Sequence, residues 1–171
     1  MEDDEWNECP LIEAVAETCT LSYGIVQPGN ETVGGIPVVR PTDLSQDLIF
    51  ANGLKRIEPS RADSYSRTEL LGGEILLCVR GSTGKISIAD EELKGANVTR
   101  GIVPIRFDLT KINQKFGYYL LLSEYLQLQI REKTYGATLQ QINIRDVKQL
   151  MVRFPPMDRQ STILLKLEWE S

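Results

Sequence analysis

No histidine occurs in the 171 residues. That absence removes the commonest general base, and with it the Ser–His and Cys–His nucleophile pairs. Cysteine is scarce. Cys9, Cys19 and Cys78 are widely spaced, odd in number and form no C-x-x-C pair, so buried or idle thiols are expected rather than a structural zinc site. No apolar run approaches the roughly 20 residues of a membrane span. The N-terminus, MEDDEWNE, is acidic where a signal or transit peptide would be basic. A cytoplasmic protein without a membrane partner follows as the expectation. Catalysis by carboxylates alone stays open. However, no pair of acids stands out, and the acidic runs at 2–5 and 90–92 read as solvated surface.

Apolar residues make up 42% and charged residues 25%, which suits one globular domain with a sizeable core. Net charge is −5, but it is unevenly spread. Residues 1–20 carry seven carboxylates and no base, whereas residues 21–171 carry 17 carboxylates and 19 bases. The body is close to neutral with local basic surface, which permits nucleic-acid binding without demanding it.

The segment GEILLCVRGSTGKISIAD, residues 73–90, contains a run that looks like a phosphate-binding loop. A P-loop needs four residues between its glycines and a Ser or Thr after its Lys. Here only Ser82 and Thr83 separate Gly81 from Gly84, and Ile86 follows Lys85. EILLCV and KISIA both have strand character, so the segment reads as a β-hairpin with a polar, cationic tip.

Elsewhere the pattern predicts a short amphipathic helix over 9–19, strands at LSYGIV and IPVVR, and a hairpin-type turn at Asn52-Gly53. Residues 61–74 read as a short helix or ordered loop. GIVPIRF reads as a strand kept to an edge or bulge by its proline. Residues 113–136 give the longest helical signal, and Gly136 after Lys133 is a good stop. A short helix at IRDVKQL, a strand MVRF ended by Pro155-Pro156, and a final amphipathic helix complete the chain.

The order Gly136, Thr138, Ile142-Asn143, Leu150, Pro155-Pro156, Gln160, Ile163 resembles the end of a target recognition domain in the DNA-specificity subunit of type I restriction–modification systems. SYGIVQPG with IPVVRPTDL is similar to that family's opening strands. The 73–90 hairpin is similar to its central hairpin, and YYLLLSEYLQLQI to the helix before the closing motif. The resemblance covers about residues 9–165. It implies an α+β fold, with a twisted, mostly antiparallel sheet or partial barrel flanked by helices. It divides the chain into an acidic tail (1–8), the recognition domain (9–157) and the start of a truncated spacer or scaffold helix (158–171). A full specificity subunit has two such domains, so a half-subunit or a truncated form is expected.

The implied function is recognition of one half of a split double-stranded DNA target, with no chemistry of its own. Modification (methyltransferase) subunits would carry S-adenosylmethionine and restriction subunits would cleave. Cofactors, including ATP and magnesium, are expected only on those partners, and none on this chain. The alternative is an interaction or regulatory fragment that binds modification subunits without reading DNA.

Base edges are read by Arg, Lys, Asn, Gln, Ser and Thr, and phosphates are held largely by the same types. The expected DNA contacts are Arg80, Ser82, Thr83 and Lys85 at the hairpin tip, then Asn97, Thr99 and Arg100, then Tyr23 and Gln27. Lys133, Thr138, Gln140 and Gln141 follow the long helix, and Arg40 precedes a proline. Each of these positions also suits an ordinary turn, cap or loop role. Ile163, Leu164, Leu167 and Trp169 are expected to form an apolar face for a partner or a second copy.

Overall fold

The computed structural model describes residues 5–170, with side chains through Glu168. Three small sheets and four α-helices, joined by 3₁₀ turns, give a mixed α+β fold. The strands are β1 (Asn7–Pro10), β2 (Ile36–Val39), β3 (Leu48–Ile49), β4 (Lys55–Ile57), β5 (Ile75–Cys78), β6 (Ile86–Ala89), β7 (Asn97–Val98), β8 (Ile102–Ile105) and β9 (Met151–Phe154). The helices are α1 (Gln114–Leu122), α2 (Glu124–Lys133), α3 (Ile144–Lys148) and α4 (Met157–Glu170). None of them is long and apolar enough to cross a membrane.

The central sheet has the order β3-β6-β5-β8. Residues 73–90 form the expected antiparallel hairpin, with Ile75 opposite Ile88 and Leu77 opposite Ile86. β8 lies at the edge, where Pro104 faces Leu76 and its missing N–H costs no ladder bond. The order of the second sheet is β4-β2-β7, and β1 pairs with β9 as a third. Among the described residues four pairings are antiparallel, and β2–β7 and β3–β6 are parallel. The largest apolar cluster lies between the central sheet and the helices, centred on Ile75, Leu77, Phe107, Leu121 and Leu126.

Four expectations about local structure are corrected. The helix over 9–19 is absent. Cys9 and Pro10 are taken by pairing with Val152 and Met151, leaving a single 3₁₀ turn at Leu11–Glu13. The helical spacing of Leu11, Ile12, Val15 and Ala16 reports burial in or against the core, not helix, because tertiary pairing overrides a weak local preference. LSYGIV makes only one bridge, Ile25 to Thr99. Leu21 sits at φ 53, which costs about 1–2 kcal/mol for a side-chain-bearing residue and is offset by its complete burial. Asn52-Gly53 does reverse the chain, but β3 and β4 enter different sheets, so no hairpin forms. The 113–136 helix is two helices. Ser123, at ψ 151, ends α1 and caps α2, its Oγ accepting from the Leu126 N–H.

The boundary at residue 9 falls inside β1. Residues 1–4 of the acidic segment lie outside the described residues. Glu8 accepts a hydrogen bond from the Tyr125 hydroxyl, and Glu5 pairs with Arg159. Gln160 is fully buried and ties three segments together. Its Oε1 accepts from Asn113 N–H, and its Nε2 donates to the Lys111 and Pro155 carbonyls.

The thiols are Cys78 and Cys19, both buried, and the half-buried Cys9. Burial raises the Cys78 thiol above its ordinary value, and burial followed by the nearby Glu13 carboxylate does the same for Cys9. Raised values mean less thiolate at neutral pH. At pH 7 the folded protein should react slowly with iodoacetamide at Cys9 and hardly at all at Cys19 and Cys78. Mass spectrometry after denaturation should show all three labelled.

Candidate nucleic-acid interface

Beyond Cys78, the β5 arm runs on to Arg80 and is laced to two other segments by backbone hydrogen bonds. Val79 N–H donates to the Gly101 carbonyl at 2.8 Å, Gly81 N–H to Gln140 at 2.8 Å, and Ile142 N–H to Val79 at 3.0 Å. Arg80 and Gln141 form an antiparallel bridge, and Gln141 bridges Tyr135 on the other side of its own loop. Tyr23 is brought in by Ile25, whose N–H donates to the Val98 carbonyl at 2.8 Å while its carbonyl accepts from Arg100 at 3.0 Å. Gly24 permits this approach, since a Cβ there would lie 2.0 Å from the Val98 oxygen.

Four segments distant in sequence thus converge on one depression of about 140 Å³, lined by Tyr23, Arg80, Arg100, Gln141 and Asn143 among others. It shares Tyr23 and Ile144 with a second depression of about 510 Å³, lined by Ser22, Ser64, Tyr65, Ser66 and Arg67. Together they make a groove with three arginines and several hydroxyl and amide side chains. Among the described residues no carboxylate lines either part. Arg80 is half-buried, and its Nη1 is enclosed without a hydrogen-bond partner. Arg100 and Arg67 are exposed on the rim, and Tyr23 is 48% exposed.

Residues 61–68 enter the site with no prior assignment to it. Their Ser/Arg/Tyr composition was the available signal. Two 3₁₀ turns, Pro59–Ala62 and Ser66–Thr68, shape the segment, the first favoured by proline at its start. Thr68 then anchors it, donating from Oγ1 to Asn97 Oδ1 at 2.7 Å.

That bond removes Asn97 from the candidate contacts. Asn97 is 1% exposed. Its Oδ1 also accepts from Val98 N–H, and its Nδ2 donates to the Tyr65 carbonyl. Its role is to hold the 65–68 wall. Arg40 is likewise engaged elsewhere. Its Nε and Nη2 both bond Asp43 at 3.2 Å, hydrogen bonding that raises the guanidinium above its ordinary value. Thr99 is half-buried beside the groove without lining it.

The hairpin tip is divided. Thr83 shares a hydrogen bond with Thr134 at 2.9 Å, and the Gly84 carbonyl accepts from Gln127 of α2. Thr83 and Lys85 line a depression of about 380 Å³ beside Asp47, separate from Arg80's groove. Ser82 is exposed at the tip. Gln27, Thr138 and Gln140 are exposed on flanking loops and Lys133 is exposed at the end of α2, all outside the two depressions.

The loop carrying Thr138 to Gln141 depends on Gly136, which has φ 104 and would place a Cβ 2.1 Å from the Leu139 carbonyl oxygen. Gly136→Ala should cost about 1–3 kcal/mol for the forbidden conformation and distort the Gln141 wall. Thermal unfolding would show the loss, and loop amides should gain hydrogen-exchange rate before the core does.

α4 is seated differently from the expectation. Leu164 is buried in the main cluster, and Ile163 packs against it. Ile163 and Leu167 line an apolar depression of about 310 Å³ with Trp6, Phe116, Tyr119 and Tyr125. Leu164 is therefore not a free partner contact. Leu165, beside it, is 69% exposed. The Trp169 side chain lies outside the described residues.

Among the described residues no cluster of three His, Cys, Asp or Glu side chains could hold a metal ion.

The sequence matches the type I restriction modification DNA specificity domain over residues 26–168. It is 26% identical over 165 residues to the type I restriction enzyme EcoBI specificity subunit of Escherichia coli, covering 96% of this chain and 35% of that protein. The chain thus spans about a third of the length of the curated relative it matches. The fold matches the S subunit of a type I restriction–modification system from M. genitalium, with a TM-score of 0.62 and 19% identity over 95% of this chain and 38% of that one. It also matches the HsdS subunit from Thermoanaerobacter tengcongensis, with a TM-score of 0.64 and 17% identity over 96% of this chain and 37% of that one. A sequence match over most of the chain, carried on this α+β fold, places the protein in the type I restriction modification DNA specificity domain family.

Proposed function

We propose that this chain reads a short stretch of double-stranded DNA through the Arg67–Arg80–Arg100 groove and performs no chemistry itself. The observation that carries this reading is the convergence of four sequence-distant segments on a groove with three arginines and, among the described residues, no lining carboxylate. Arg80, held at its backbone on both sides, suits contact with a guanine edge through the guanidinium donors other than its enclosed Nη1. Gln141, held in the same lacing, suits adenine. Arg67 and Arg100, exposed on the rim, suit phosphates. Lys133, Gln27, Thr138 and Gln140 extend the surface over neighbouring backbone. The separate positions of Ser82, Thr83 and Lys85 suit a flanking phosphate contact.

By its relatives' naming as specificity subunits, the chain directs partner modification and restriction subunits in the cytoplasm. Those partners supply S-adenosylmethionine, ATP and magnesium. Ile163, Leu165 and Leu167 on α4 are the proposed contacts for a partner helix or a second copy, with α4 the beginning of the spacer.

Selection from a random duplex library at low and moderate salt, followed by sequencing, tests the reading. One enriched short motif supports it. Salt-sensitive retention without a motif limits the chain to phosphate binding. No retention at low salt overturns it in favour of a fragment that binds modification subunits without reading DNA.

A further inference from the structure

The central sheet has two ends of opposite character. β5 and β8 run antiparallel, so Arg80 and Arg100 lie at one end while Gly73 and Arg106 lie at the other. The span from Glu74 to Arg80 is roughly 20 Å at strand rise. The far end holds a depression of about 720 Å³ bounded by residues 16–18, 71–73, Glu91 and 106–109. Its floor is largely hydrogen-bonded internally, Arg106 Nε alone being enclosed without a partner among the described residues. Gln114 Nε2 donates to the Gly73 and Ile105 carbonyls, and its Oε1 accepts from Phe107 N–H. Arg106 is paired with Glu74 at 3.0 Å.

The rim is less fully engaged, although Asp108 Oδ1 accepts from the Thr110 N–H and hydroxyl. Leu71 is 53% exposed and Leu109 64% exposed, one on each side. Glu17, Glu91 and Asp108 stand between and beside them, and none has an ion pair among the described residues. Two exposed leucines around a concave surface are an association surface waiting for apolar cover. The carboxylates decide what covers it: they repel nucleic acid and acidic chains and attract a cationic one.

We propose that this surface docks a protein segment in which leucine-like side chains alternate with lysine or arginine. Its position at the opposite end of the sheet leaves the arginine groove open, so both can be occupied together. The inference does not depend on the DNA reading.

A short synthetic lysine–leucine peptide, titrated into the ¹⁵N-labelled full chain, is the test. Shifts should concentrate on Leu71, Gly72, Glu91, Asp108 and Leu109. The double reversal Glu17→Lys/Glu91→Lys should weaken binding at least tenfold, as should Leu71→Ser/Leu109→Ser. All four positions are exposed, so the variants should stay folded, which the same spectra verify. Retention of duplex DNA should be unchanged in the charge-neutral Leu71→Ser/Leu109→Ser variant. A matched peptide with glutamate for lysine should not bind. Shifts centred elsewhere, equal affinity in either variant, or equal binding of the acidic peptide would overturn the proposal. So would concentration-dependent self-association abolished by the same variants, since the occupant would then be a second copy.

Discussion

Arg80→Ala is expected to abolish motif selection while leaving most salt-sensitive DNA retention in place. A bidentate arginine–guanine contact is worth about 1–3 kcal/mol of discrimination, so the preferred duplex should lose roughly 5- to 150-fold in affinity and competitor sequences much less. Arg80 differs from the rim arginines in how it is held. Its neighbours Val79 and Gly81 are bonded to Gly101 and Gln140, and its own backbone pairs with Gln141. Its Nη1 is enclosed without a partner in the free protein. An unsatisfied buried donor costs about 1–3 kcal/mol, so removing it should leave the fold as stable or slightly more stable. That separates the effect from unfolding. Arg100→Gln should act differently. It should weaken all duplexes alike and reduce the slope of log K against log salt by about 0.9. Competition binding across two salt concentrations distinguishes the two. Equal, sequence-independent losses from both variants would place Arg80 among the phosphate contacts.

What could be read in advance, and what could not, follows the range of the interactions. The 73–90 hairpin was legible because its signal is local: apolar strands on either side of a glycine-containing tip. The short helix at Ile144 and strand β9 with its Pro155-Pro156 stop were legible for the same reason. Arg80 and Gln141 could each be picked by residue type, but their adjacency comes from the bridge across 61 residues of chain, which no periodicity encodes. Asn97 shows the converse. Its type suits base reading, yet it is spent on Thr68, Tyr65 and its own neighbour's N–H. Buried polar side chains and DNA-reading side chains share one alphabet, and only burial tells them apart. The missing helix at 9–19 has the same root: Cys9 and Pro10 pair with β9, and Ala14 to Ala16 pair with residues 106–108. Gln160 was visible only through the family resemblance, and the structure supplies its reason in two hydrogen bonds from α4 to residues 111 and 113, ahead of α1, and a third to the Pro155 carbonyl.

Glu74→Ala should be the most destabilising single change at a polar position. The Glu74 side chain is fully buried. Its Oε2 accepts from Leu71 N–H at 2.7 Å and from Arg106 Nη1 at 3.0 Å, and its Oε1 accepts from Gly72 N–H at 2.8 Å. Removing the carboxylate orphans two backbone donors and leaves the Arg106 guanidinium, only 18% exposed, without its counter-charge. Breaking one side of such a buried pair costs about 3–5 kcal/mol, and for a domain of this size each kcal/mol is roughly 2–4 °C of Tm. Glu74→Gln keeps the shape and one acceptor but turns an amide donor toward donors, so it should fall between wild type and alanine. The double change Glu74→Ala/Arg106→Leu removes both charges together and should recover much of the loss, because the penalty lies in the unpaired arginine more than in the missing bond. Because the pair sits at the far end of the sheet from Arg80, the folded fraction of each variant should bind duplex DNA with unchanged affinity. A drop in affinity that tracks the drop in Tm, measured where every variant is still fully folded, would show that the two ends of the sheet are coupled instead.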